Sequence, residues 1–231
     1  MTTIKQPPGI WQGQLLHVAS LLALLGLVWL AWQKLGQPFP VAFWTAIAFP
    51  IAHQVFVWLA WRLELQRSAT SEKLGFPMYL AVFFVLFGGR FVALIVLAWL
   101  DRGSLGLPAL PRAIGTTVLA LPGIYAFYSV KRYFGMVRAA GADHFDARYR
   151  DLPLVKEGIF RITDNGMYFY AFLLFWALAV GFDSAAALAV VAFSHAYIWV
   201  HFYATEQPDM EYIYGTSAAH ADTPALDPSG H

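Results

Sequence analysis

The side chains able to do chemistry are concentrated in the second half of the chain. Asp164, His201 and Glu206 can each take up a proton and are the candidate general bases. Near them in sequence stand a guanidinium (Arg161), two amides (Asn165 and Gln207) and the phenols Tyr168, Tyr203, Tyr212 and Tyr214. These groups can bind ions of either sign, stack on flat groups and move protons. Other chemistries are excluded or disfavoured. The chain has no cysteine, which removes thiolate nucleophiles, iron–sulfur clusters and Cys-ligated zinc. His195 and His201 are too badly spaced to share one helical face as a pair of metal ligands would, so no metal site is expected.

These residues fall in two polar stretches. The first runs from Tyr133-Phe134-Gly135 through Lys156-Glu157-Gly158-Ile159-Phe160-Arg161 to Asp164-Asn165-Gly166-Met167-Tyr168, and the second is Thr205-Glu206-Gln207-Pro208-Asp209-Met210 with Tyr212, Tyr214 and Gly215. Between them lies one long apolar stretch, interrupted only by Gly181, Asp183 and Ser184, which supply turn chemistry. It is too long for a single bilayer crossing, so it reads as a tight helical hairpin. Both polar stretches must then emerge on the same membrane face, close together in space.

The elements that position them follow from composition. Of 231 residues, 59% are hydrophobic and 13% charged, half the charged fraction of an ordinary soluble domain. So few charges cannot cover the surface of a soluble protein with this much Leu, Phe, Trp and Val. A crossing helix needs about 20 apolar residues, and six runs qualify: Leu15 to Gln33, Val41 to Trp61, Pro77 to Leu100, Arg112 to Val130, Met167 to Gly181 and Ala185 to Tyr203. The fold class is all-α, a polytopic membrane protein. It reads as a single membrane domain over residues 1–231: four spans in 1–130, a loop, hairpin and tail segment in 131–216, and a disordered tail in 217–231. The first ten residues also look disordered. With a formal net charge of +1, a nucleic-acid partner is not expected. Lys and Arg crowd into alternate loops, chiefly the segment from Lys131 to Gly166, which places that segment and both termini in the cytoplasm. The host membrane would be a bacterial inner membrane or the endoplasmic reticulum.

The stretch GIFRITDNGMY followed after the hairpin by TEQPDMEYIYG resembles the membrane methyltransferases that use S-adenosylmethionine, the isoprenylcysteine carboxyl methyltransferases and phospholipid N-methyltransferases, and is most similar to the phosphatidylethanolamine branch. Gly158, Arg161 and Tyr168 match the family pattern before the hairpin, and Glu206, Pro208, Asp209, Met210 and Gly215 match it afterwards. The family's Arg-His-Pro is replaced by Asp164-Asn165-Gly166, and its second acid by Gln207. The resemblance covers Tyr133 to Gly215.

It implies methyl transfer from S-adenosylmethionine to the amine of a membrane phospholipid, phosphatidylethanolamine or its mono- and dimethyl forms. The donor is a zwitterion with a sulfonium centre, so its site should offer an anion, a cation and aromatic faces. Gly158, Arg161, Asn165, Tyr168, Glu206, Gln207 and Gly123 are the candidate cofactor residues. Each has a plainer role as well. Glu206 could be a solvated carboxylate at a helix end, Arg161 a topology anchor, Asn165 a helix cap, and Pro122-Gly123 a packing kink. Arg90 lies in the third span, where a charge is costly and marks a candidate functional site; the plainer reading, pairing inside the bundle with His53 and Gln54, is the one expected. Asp143-His144 reads as a solvated loop. The alternative functions are carboxyl or thiol methyl transfer on the same fold, and a transporter or non-catalytic scaffold.

Overall fold

The computed structural model describes residues 6–153, 155–163 and 165–215. Its helices are, in order, α1 (Gln14–Lys34), α2 (Pro40–Arg67), α3 (Ala69–Lys73), α4 (Phe76–Leu100), α5 (Ala109–Ser129), α6 (Met136–Ala139), α7 (Ala142–Phe145), α8 (Ala147–Arg150), α9 (Leu173–Gly181), α10 (Ala185–His201) and α11 (Gln207–Tyr214). There is no strand among the described residues. Five helical stretches are long and apolar enough to cross a bilayer: Gln14–Lys34, Pro40–Arg67, Phe76–Leu100, Ala109–Phe134 and Ala185–Tyr214. The sixth expected span, Met167–Gly181, is apolar but shorter than these. The protein is an all-α polytopic membrane protein. Helices suit that setting because they satisfy their own backbone hydrogen bonds where no water is at hand.

The breaks between helices have local causes. Pro40 opens α2 at a position where its missing N–H costs nothing, and Ser68 ends α2 in the left-handed region at φ 51°. The Glu64 carboxylate then accepts from Ser71 N–H (2.8 Å) and Ser71 Oγ (2.7 Å), which folds α3 back against the end of α2. Around the core, α2 packs on α4, α5 on α9 and α1 on α10, while α10 also touches α2, α4 and α9 and so forms the axis of the bundle. Phe43, Ile47, Leu94, Leu97, Val191 and Tyr197 are fully buried where α2, α4 and α10 meet. Pressed between α2 and α4, Gly89 leaves room for Phe49, since a Cβ there would lie 2.1 Å from the ring.

The two ends of the bundle are tied in different ways. At one end the hairpin turn between α9 and α10 is fastened to the loop after α4. Asp101 Oδ2 accepts from Ser184 Oγ (2.7 Å), Ser104 Oγ (2.7 Å) and the Ala186 N–H (2.9 Å), and Asp183 Oδ1 accepts from the Leu107 N–H (3.0 Å). Ser184 also caps α10 by accepting from the Ala187 N–H. At the other end the N-terminal segment is docked rather than loose. The carbonyls of Pro8, Gly9 and Ile10 accept from Gln66, Arg62 and Trp58 of α2 at 2.8–2.9 Å, so the expectation of disorder over the first ten residues fails for this segment. Three consecutive backbone oxygens matched by three α2 donors spaced four apart account for it. The expected tail 217–231 lies outside the described residues.

Candidate active site

Three π-helical turns, Val130–Phe134, Met167–Ala171 and Phe202–Glu206, lie at the docked end of the bundle, one each at the end of α5, the entry to α9 and the end of α10. A π turn widens the helix and redirects a side chain, and such turns are frequent at functional sites. Here two of them bring Tyr168 and Glu206 together: the Tyr168 O–H donates to the Glu206 carboxylate across 38 positions of sequence. Behind Tyr168 the backbone is held by His195. Trp176 Nε1 can only donate, and it reaches His195 Nδ1 at 3.0 Å, so the proton of the imidazole sits on Nε2 and is donated to the Tyr168 carbonyl at 2.9 Å. The turn before it is just as closely packed. Gly158 has φ +60° and presses on α5, where a Cβ would lie 2.5 Å from Ser129 Oγ, and that hydroxyl accepts from the Ile159 N–H at 3.1 Å.

Glu206 and Tyr168 form part of the wall of a cavity of about 140 Å³ inside the bundle. Its walls are mostly aromatic and aliphatic, from Phe83, Phe87 and Phe91 of α4, Phe127 of α5 and Phe172 and Leu174 at the start of α9. Its polar groups are few: His53 and Gln54 of α2, Arg90 of α4, His201 of α10, and the Tyr168–Glu206 pair. Both ring nitrogens of His53 and of His201, Gln54 Nε2, and Arg90 Nε and Nη2 are buried without a hydrogen-bond partner among the described residues. Buried polar atoms are nearly always satisfied, so this many orphans on one cavity mark a place where something else binds.

Beside the cavity lies a buried ionic cluster. Arg62 Nε meets Asp209 Oδ1 at 2.8 Å, with both side chains wholly excluded from solvent. The other oxygen of Asp209 faces His144 Nε2 at 3.4 Å, and His144 Nδ1 faces Asp143 Oδ1 at 3.1 Å. Tyr214 O–H closes the set on Asp143 Oδ2 at 2.8 Å. Burial disfavours the His144 imidazolium, but the hydrogen bonds and charges of Asp143 and Asp209 outweigh it, and its pKa is pushed up to about 9. Burial likewise opposes ionisation of Asp143, yet His144, Tyr214 and Arg138 hold its carboxyl below the usual carboxylate range. Trp61 stacks on the His144 ring, centroids 4.0 Å apart, an arrangement that suits a cation on an aromatic face. Gly141 permits it, since a Cβ there would stand 2.4 Å from the Trp61 ring. The cluster joins α2, α7 and α11, and it fixes the segment that begins at Glu206.

Residues 111–217 match the family model for phospholipid methyltransferases. Over these residues the chain is similar to phospholipid methyltransferases, which is consistent with the membrane methyltransferase family. No curated protein and no solved structure matches the chain. The match takes in α5, the two polar stretches and the hairpin. It leaves out α1 to α4, so Trp61, Arg62 and Arg90 come to the cavity and the ionic cluster from outside the matched region.

Within that region the structure gathers some of the expected residues and separates others. Glu206, Tyr168 and His201 share the cavity. Gly158 supports the turn beneath Tyr168, and the Asn165 carbonyl accepts from the Tyr168 and Phe169 N–H groups at the start of the same segment. Arg161 is exposed, and Gln207 points outward to Glu211 at 3.3 Å. Gly123 lies on the α5–α9 contact, where a Cβ would come within 2.9 Å of Leu174, and it is not part of the cavity wall. Asp164 lies outside the described residues. Arg90 does not make the expected pairing with His53 and Gln54, because all three present unpartnered atoms to the cavity. Nor is Asp143-His144 a solvated loop: both are buried and paired with one another, and His144 also faces Asp209. The available signal for that cluster was Asp209, an acid in the matching motif with no basic neighbour in sequence.

Proposed function

We propose that the protein transfers a methyl group from S-adenosylmethionine to the amine of a membrane phospholipid, phosphatidylethanolamine or its mono- and dimethyl forms, with the Glu206 end of the bundle facing the cytoplasm. The observation that carries this reading is the Tyr168–Glu206 pair on the wall of an aromatic cavity, inside the stretch that matches phospholipid methyltransferases. The residues present suit the donor: a carboxylate for its cationic portion, aromatic faces for its sulfonium, and unpartnered imidazole nitrogens on His201. Arg161 and Asn165, at the same end, are the groups proposed for its carboxylate. When bound, S-adenosylmethionine supplies an electrophilic methyl on sulfur, and no covalent enzyme intermediate is needed.

The work left to the chain is alignment and proton handling. Glu206 offers negative charge beside the reacting amine and takes the proton that an ammonium must lose before its lone pair can attack. The Tyr168 hydroxyl fixes the carboxylate in one rotamer, and His201 is a second acceptor on the same wall. The apolar walls exclude water that would compete for the methyl group.

Cells or proteoliposomes containing the chain, supplied with methyl-labelled S-adenosylmethionine, should accumulate label in amine-bearing phospholipids. Glu206→Gln should lower that rate by about 100-fold or more while leaving the melting temperature nearly unchanged, because the substitution keeps the Tyr168 contact. Label appearing in carboxyl esters or thioethers instead, or full activity in Glu206→Gln, would overturn the reading.

A further inference from the structure

Arg90 stands about 21 Å along α4 from Phe76, well inside the bundle. It is 5% exposed, and its guanidinium lies over the rings of Phe172 (5.3 Å) and Phe175 (5.5 Å). No carboxylate among the described residues pairs with it, and Nε and Nη2 have no acceptor. An arginine cannot shed its charge to escape this situation as a lysine can. A buried charge without a counter-charge is strongly destabilising, so a ligand that brings an anion to this point would recover a large penalty. The neighbours favour an anion too. Gln54 Nε2 is an unused donor, and the neighbouring His53 ring carries one N–H when neutral. Together the guanidinium, the amide NH₂ and the imidazole carry more donor hydrogens than acceptors.

The surroundings identify the rest of the ligand. α4 and α5 have little contact along their lengths. Between them runs an apolar cleft floored by α9, bounded by Phe91 and Ile95 on one side and by Thr116 and Ala120 on the other. Phe91 and Leu174 line both this cleft and the cavity, so the cleft meets the cavity on the side where Arg90 stands. A ligand that fits has an oxyanion at one end and hydrocarbon at the other.

We propose that Arg90, with Gln54 and His53, seats the phosphodiester of a membrane phospholipid whose acyl chains lie in the cleft between α4 and α5. The amine of that lipid then projects along the cavity toward Glu206. That last step rests on the methyl-transfer reading above, whereas the phosphodiester seat does not depend on it. The guanidinium fork matches a phosphate through two parallel hydrogen bonds, which an ammonium cannot reproduce.

The test uses the full chain in detergent and measures binding of three lipids with identical acyl chains: phosphatidylethanolamine, phosphatidylmethanol, which keeps the phosphodiester but has no amine, and diacylglycerol, which has neither. The wild type should bind both phospholipids at least about tenfold more tightly than diacylglycerol. Arg90→Gln should abolish that preference and leave affinity for S-adenosylmethionine within about twofold. Should Arg90→Gln fail to fold, Arg90→Lys, which keeps the charge but not the fork, should still narrow the preference. No preference in the wild type would overturn the proposal without recourse to any variant. So would an Arg90→Gln protein that retains the preference, or one that loses only donor affinity, since the guanidinium would then hold the donor's carboxylate. Displacement of the lipid by millimolar inorganic phosphate would make this a free-phosphate site and also overturn it. A chain that binds phosphodiesters in this way yet methylates none would leave the seat standing and remove the proposed reaction.

Discussion

At the scale of single residues, His144 couples charge to stability. In the unfolded chain its pKa is near 6.5. In the folded protein Asp143 and Asp209 overcome the cost of burial and raise it to about 9. The folded state therefore holds the proton more tightly, so the stabilisation is complete below about pH 6.5 and is lost as pH rises through about 9. A shift of this size corresponds to on the order of 3 kcal/mol. The melting temperature should fall between pH 7 and pH 9.5 in the wild type. His144→Gln should melt lower at pH 7 and show little change across the same interval. A wild-type melting temperature that is flat over that range would mean that His144 is neutral in the fold and that Arg62 alone compensates Asp209.

Among the helices, the hairpin is the element most exposed to a single loss. Asp101 gathers three donors from the hairpin turn and its own loop, and it is nearly buried. Asp101→Asn replaces an ionised acceptor with an amide that has one acceptor oxygen and an NH₂ group facing donors. It should cost about 1–3 kcal/mol and lower the melting temperature by several degrees. An unchanged melting temperature would show that the turn is held by α9–α10 packing alone. The hairpin also shows how far sequence reading reached. Apolar length, turn residues and the two flanking polar stretches were enough to locate it and to bring Tyr168 and Glu206 to one end, because those features are local or follow from the bilayer. Arg90 and Asp143-His144 were misjudged, and Arg62 was passed over, because their roles depend on which helices become neighbours. A basic residue at a span end reads as a topology anchor, and only the packing of α2 against α7 and α11 shows Arg62 to be buried against Asp209. The three π turns leave no mark in hydropathy at all.

For the molecule as a whole, the crowding of Lys and Arg on one side predicts which end faces the cytoplasm. On this cysteine-free background, Ala109→Cys in the loop side of α5 should be labelled by an impermeant thiol reagent in intact cells, and Ala147→Cys only after permeabilisation. The reverse pattern would invert the protein, place the Glu206 end away from the cytoplasm and count against the proposed use of a cytoplasmic donor. The Met167–Gly181 span carries a further consequence. Its roughly 15 residues reach about 22 Å, against a hydrocarbon core of about 30 Å. A segment this short is matched by thinning the bilayer around it. Reconstituted in vesicles with acyl chains of about 14 carbons, the protein should turn over several times faster than in vesicles with chains of about 22 carbons, with donor affinity the same in both. Equal rates would show that α5 and α10 shield the span completely. Otherwise the membrane's own thickness acts as a brake, and longer acyl chains around the protein would slow its turnover with no regulator bound to it.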